Sequence, residues 1–147
     1  MSSRNVETHR SKHEAFNRGD LDAAVSVFAD SATYADQPRG LVLHGPEEIK
    51  QWLAGWKAAF SDARCTDIRF IETENATISL FMGRGTNDGL LGDLPATGRT
   101  FAIPHCDIFE HDSEGRVVRA EHYYDQLSVL QQLGHMAQPE PASVSKE

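Results

Sequence analysis

Residues 99–124 read RTFAIPHCDIFEHDSEGRVVRAEHYY. Two runs, Arg99 to Glu110 and Arg116 to Tyr124, flank the cluster Asp112-Ser113-Glu114-Gly115. Runs of apolar and aromatic residues separated by a short Asp/Ser/Gly stretch predict two strands joined by a turn. Successive strand side chains point to opposite faces. In the first run Phe101, Ile103, His105, Asp107 and Phe109 therefore share one face, and Ala102, Pro104, Cys106 and Ile108 the other. Both faces are partly apolar, so alternation alone leaves open which is buried. In the second run Glu121, Tyr123 and Asp125 share a face against His122 and Tyr124.

Upstream, Cys65 to Thr73 and Ala76 to Thr86 predict a further hairpin around Glu74-Asn75. Gly83 and Gly85 inside it suggest a bend or bulge. Before it, Gly45-Pro46-Glu47-Glu48 opens a helix, with proline and acids suited to a first turn. Ile49, Trp52, Leu53, Trp56 and Phe60 form the strongest apolar stripe in the chain. Such a helix needs a large flat partner, most simply a sheet. Nearer the start, residues 3–17 predict a helix with a weakly apolar stripe. A second helix carries Leu21, Ala24, Val25 and Phe28, and a short strand spans Ala32 to Asp36. A last helix is predicted from Gln126 to Leu133, with Gly134 as cap. Residues 37–45 and 87–98 read as loops. Segregated helices and strands predict an α+β fold: a bent antiparallel sheet wrapped around a long helix as a cone-shaped barrel. Its concave interior is the natural small-molecule site. Residues 1–134 form one expected domain, and residues 135–147, with Pro139 and Pro141 and no periodicity, an expected disordered tail.

The 147 residues carry 14 Lys+Arg against 22 Asp+Glu, a net charge of −8. So acidic a chain is a poor nucleic-acid binder, because that affinity comes mostly from neutralising phosphates. No apolar run reaches the length of a membrane span, and the polar start Met1-Ser2-Ser3-Arg4-Asn5 lacks a signal peptide's apolar core. Cys65 and Cys106 stand alone, as free thiols of a reducing cytoplasm. The expectation is a cytoplasmic protein that touches neither nucleic acid nor membrane.

Four polar residues belong to strands bounding the expected pocket: Asp36, His105, Asp107 and Asp125. A carboxyl in apolar surroundings has a raised pKa and can move protons near neutral pH. Each also has an ordinary structural reading: a strand aspartate is usually a surface charge, and Asp125 stands where an N-cap is wanted. Tyr34, Trp52, Trp56, Phe60, Met82 and Tyr123 are the expected substrate-gripping residues, although the tryptophans also suit a plain core. His9 and His13 have the i, i+4 spacing of helical metal ligands but lack the glutamate of a zinc-hydrolase motif, so no metal is expected. No flavin or nicotinamide is expected either, since Gly83-Arg84-Gly85 and Gly89 open no helix.

These residues also carry a family likeness. Asn17-Arg18-Gly19-Asp20-Leu21-Asp22, Phe28-Ala29-Asp30 and Gly45-Pro46-Glu47-Glu48-Ile49 resemble the opening of the nuclear transport factor 2-like superfamily. Pro95-Ala96-Thr97-Gly98-Arg99, Asp107-Ile108-Phe109, Glu114-Gly115-Arg116-Val117 and Tyr124-Asp125-Gln126 resemble its SnoaL-like polyketide cyclase branch. The resemblance implies a homodimer formed through the sheet and cofactor-free proton transfer next to a carbonyl on a hydrophobic small molecule. Asp125 matches the cyclases' acid/base, with His105 its partner and His111 the second choice. Asp36 and Asp107 match the two aspartates of the related ketosteroid isomerases. Asp36 or Asp107, if neutral, would donate to the developing oxyanion. Their essential tyrosine is replaced by Lys12, with Tyr34 or Tyr123 as substitutes. A non-catalytic binding or dimerisation module of the same fold is the alternative.

Overall fold

Six strands order as β2-β1-β6-β5-β4-β3 in one sheet that curls without closing. The computed structural model describes residues 3–137. In chain order the elements are α1 (Arg4–Asn17), α2 (Leu21–Val25), β1 (Phe28–Asp36), a 3-10 turn (Gln37–Arg39), β2 (Leu41–His44), α3 (Gly45–Ala59), β3 (Arg64–Glu72), β4 (Ala76–Thr86), β5 (Thr100–His111), β6 (Val117–Tyr124) and α4 (Gln126–Leu133). The α+β architecture is as read from the sequence. One pairing is not antiparallel: β1 runs parallel to β6, because the chain leaves β1 for α3 and the β3–β5 meander before returning beside it. From residue 138 onward the expected tail lies outside the described residues. His135, at its start, packs back, with Nε2 at 3.1 Å from Asn87 Oδ1.

The helices start where local chemistry dictates. Ser3 caps α1 by accepting from the Val6 N–H at 3.1 Å. Glu48 on α3 accepts from the His44 N–H at 3.1 Å. α3 lays Ile49, Trp52 and Leu53 into the core. The stripe that α1 buries is polar: His9, Lys12 and His13, with Phe16 at its end. That is why its sequence looked only weakly amphipathic.

Three local expectations need correction. The second helix stops at Val25, where the Ser26 hydroxyl donates to Ala23 O at 2.6 Å. Phe28 then opens β1 and reaches the core from a strand. Residues 41–44 form a short, mostly exposed edge strand, too brief and too poorly buried to show alternation. Gly83 and Gly85 make no bulge, since β4 pairs with β5 in unbroken register from Ala76 to Thr86. Their role is clearance: a Cβ on Gly83 would lie 2.3 Å from His105 Nε2, and one on Gly85 2.9 Å from Phe60 Cβ.

Candidate functional site

Register brings the polar residues together. Across the sheet Ser79, Asp107, His122 and Asp36 form one row, and Phe81, His105 and Tyr124 the next. The buried face of β5 carries Phe101, Ile103, His105, Asp107 and Phe109, which settles the choice that alternation left open. On β6 the buried residues are Val117, Ala120 and His122. Tyr123 faces the outside, 42% exposed, and donates to Glu121 Oε2 at 2.9 Å. The face of Glu121, Tyr123 and Asp125 is thus the outer one, because β5–β6 pairing places Asp107 opposite His122, and Tyr123 does not grip a ligand inside the pocket.

A chain of three side chains runs along this surface. Asp107 Oδ1 accepts from His122 Nδ1 and from the Tyr34 hydroxyl at 2.9 Å. His122 Nε2 lies 3.0 Å from His105 Nδ1. His105 Nε2 is buried and has no partner. Donor logic assigns the tautomers. An ionised Asp107 only accepts, so His122 Nδ1 carries its proton. In the neutral chain His122 Nε2 then accepts from His105 Nδ1–H, and His105 Nε2 is left with a bare lone pair.

The electrostatics agree with that assignment. Burial raises the Asp107 pKa, but His122, Lys12 and His13 outweigh it and hold the carboxyl well below its ordinary range. Asp107 is therefore not the neutral oxyanion donor that the resemblance implied. Burial, aided by His122, lowers the His105 pKa to about 3, so the imidazole is neutral at neutral pH. Burial, with Asp107 beside it, pushes the Tyr34 phenol up, so it stays a donor. The His105 ring is stacked between Phe81 and Tyr124, at 5.1 and 5.0 Å between centroids. Gly83→Ala would force that ring aside. The variant should lose about 1–3 kcal/mol, the usual scale of overpacking, together with any activity of His105; denaturant melts and turnover check both.

Two cavities meet at a pair of tryptophans. The mouth, about 800 Å³, is lined by leucines at 41, 43, 90, 91, 94 and 130 and by Arg39 and Tyr124. The inner cavity, about 40 Å³, is lined by Lys12, His105 and His122 among apolar side chains. Trp52 and Trp56 line both. Asp36 Oδ2 accepts from Trp52 Nε1 at 2.9 Å and from the Tyr124 hydroxyl at 3.4 Å. Asp36 thus fixes Trp52 and lines neither cavity, while no described residue accepts from Trp56.

The remaining expectations place as follows. Asp125 is exposed and caps α4, accepting from the Ser128 N–H at 3.1 Å and the Ser128 hydroxyl at 2.8 Å. The Ser128 bonds hold its pKa down, and it lines neither cavity; of its two readings the cap is the one the structure shows. Phe60 is fully buried behind the cavities and Met82 is half-buried on the opposite face of β4, so neither grips a ligand. His111 lies apart, with Nε2 at 2.8 Å from Thr77 Oγ1. Cys65 is buried, which raises its thiol pKa to about 12 and leaves it a poor nucleophile. Among the described residues His9, His13 and Asp107 are the one donor group close enough for a metal. The two rings are stacked within 18° at 5.1 Å; near-parallel rings do not converge their in-plane lone pairs on one ion. Lys12 Nζ also stands 3.7 Å from Asp107 Oδ2, so the group does not fit a cation.

The sequence reading missed His122, the middle of the chain. Counting pairs outward from the Asp112–Gly115 turn sets Asp107 opposite Ala120; the register shift between Glu110 and His111 brings His122 there instead.

A family model described as SnoaL-like polyketide cyclase matches residues 7–133. A search of the curated proteins gave no match. Among solved structures, a candidate polyketide cyclase from Xanthomonas campestris pv. campestris is 22% identical with a TM-score of 0.80, covering 88% of this chain and 96% of its own. A protein with a ketosteroid isomerase-like fold from Catenulispora acidiphila, in complex with trimethylamine, is 23% identical with a TM-score of 0.78, covering 92% and 98%. IdmH, a candidate polyketide cyclase from Streptomyces antibioticus, is 23% identical with a TM-score of 0.77, covering 90% and 99%. At such identities these likenesses carry the fold.

Proposed function

Because the chain belongs to the SnoaL-like polyketide cyclase family, we propose that it moves a proton next to the carbonyl of a hydrophobic small molecule, with His105 as general base. One observation carries the reading: the Asp107–His122–His105 chain ends in a buried, unpartnered Nε2 at the inner cavity. A buried lone pair without a donor is costly in a finished core and is what a base requires. The ring system of the substrate lies in the leucine-lined mouth, and Trp56 swings to admit the carbonyl end. His105 Nε2 takes the α-proton. The imidazolium so formed is stabilised through His122 by the Asp107 carboxylate. The proton then returns to another atom of the enolate, or to the alkoxide formed when the enolate carbon attacks a second carbonyl. A base with so low a pKa works best on an acidic C–H, such as one between two carbonyls, since proton transfer follows Brønsted behaviour. This sequence needs no cofactor.

The test is α-proton exchange of 2-tetralone and a panel of cyclic 1,3-diketones in D2O, followed by NMR. Exchange faster than buffer supports the reading. Bound ketone exchanging at the buffer rate instead supports a plain binding protein. Asp125→Asn keeps a good cap and should leave exchange unchanged; its loss would return the acid/base role to Asp125. The outer sheet face, with half-buried Leu80 and Ile108 and exposed Val118 and Tyr123, is where the proposed homodimer would form. Among the described residues no helix is long and apolar enough to cross a membrane.

A further inference from the structure

The inner cavity is also lined by a charged group, Lys12, whose contact with the His105 chain is the Asp107 carboxylate. Lys12 is 3% exposed. Its ammonium stands 3.7 Å from Asp107 Oδ2, beyond hydrogen-bond reach. It lies 5.8 and 6.0 Å from the rings of Phe16 and Tyr34. No described residue accepts a hydrogen bond from it. A desolvated ammonium with one ion-pair partner and no hydrogen bond is under-satisfied, and it is poised for an acceptor that arrives with a ligand. The cavity's 40 Å³ is room for a few water-sized groups, one of which takes about 10–15 Å³ on the same measure. Apart from the histidines and Lys12 its walls are largely apolar, and no carboxylate lines it. Arg64 and Arg84, at its rim, are paired with Asp62 and Asp67.

We propose that the inner cavity is a binding subsite for one ionised oxygen, the enolate or phenolate oxygen of a hydrophobic ligand, held by the Lys12 ammonium. The enolate form rests on the proton-transfer reading, but the subsite exists without turnover. His105 and His122 face Lys12 from the sheet and Cys65 faces it from β3. Among the described residues the carboxylate beside it is Asp107, whose Oδ1 takes His122 and Tyr34, whose Oδ2 stands 3.7 Å from the ammonium, and which does not line the cavity. An incoming oxyanion therefore meets the ammonium first. Among largely apolar walls a charge-assisted bond to O⁻ exceeds one to a neutral oxygen. The subsite would favour the enolate over the ketone, which is the preference catalysis needs.

The probe is 2-naphthol at neutral pH, where the free compound is an un-ionised phenol, read by the naphtholate absorption band, with naphthalene as the neutral comparison. The wild-type protein should show the band and bind 2-naphthol more tightly than naphthalene. Lys12→Met should lose the band and bind 2-naphthol about tenfold or more weakly, the worth of one bond to a charged group, with naphthalene affinity unchanged. No band in the wild type, or a band and full affinity surviving in the variant, would overturn the proposal. Should Lys12→Met fail to fold, the wild-type comparison decides, because equal affinities without a band overturn it on the intact chain. Ketone exchange in the same preparations separates the two readings. Naphtholate capture without exchange keeps the subsite and removes His105 as base; exchange without capture keeps the base and removes the subsite.

Discussion

His105→Gln lowers α-proton exchange by about 100- to 10,000-fold, the range for a positioned general base, while the protein remains folded. Glutamine can still donate an N–H to His122 and fills a similar volume between Phe81 and Tyr124, but it has no basic lone pair. Exchange by the wild-type protein should be flat through neutral pH, with no acid limb until the chain unfolds, because His105 is already deprotonated above about 3. A limb near the ordinary histidine pKa would place the base elsewhere. Unchanged exchange in His105→Gln would remove the role outright.

Acid unfolding is the second large effect. Burial depresses three histidines below their unfolded value of 6.5: His9 to about 3, His105 to about 3, and His13 well below that unfolded value. A histidine held neutral in the native state costs nothing above its unfolded pKa. Below it the unfolded chain binds the proton and the native chain does not, so stability falls with pH down to the folded pKa. Each such histidine contributes about 1.4 kcal/mol per pH unit at full slope, and three together roughly 4 kcal/mol. Asp107, depressed below the carboxylate range, keeps its contribution above that range and extends the loss below about pH 4. Against the total of about 5–15 kcal/mol typical of a domain, a cooperative acid transition should fall near pH 4–5. Proton uptake on unfolding should be about three per chain through the three histidines, and one fewer in His105→Gln. Circular dichroism against pH, with titration calorimetry, measures both. A native baseline flat to pH 3 would contradict the burial of neutral imidazoles.

Much of the fold was legible because the chain declares it locally. Trp52, Leu53 and Trp56 mark α3, and the two clear turns mark the meander of β3 to β6. Phe28 misled because an apolar residue seven positions after Leu21 fits a helical stripe, yet Ser26 closes the helix before it. The candidate site was legible only in part. His105 and Asp107 share a strand, so alternation alone sets them on one face. His122 joins them through pairing register, which a single strand does not show. Asp125 drew attention by position, and the Ser128 backbone uses it as a cap. Lys12 stood out as a mismatch to a related family's tyrosine, and only the packing of α1 on the sheet shows it buried beside Asp107 at the edge of a cavity. Gly83 looked like a defect in a strand and is the space into which His105 fits.

The central claim is that the Asp107–His122–His105 chain leaves an unprotonated nitrogen at the inner cavity. A long-range 1H–15N NMR spectrum of the histidine side chains at neutral pH reads this directly. The His105 pair should show a protonated Nδ1 and an unprotonated Nε2, and His122 a protonated Nδ1. A proton on His105 Nε2 would contradict the account.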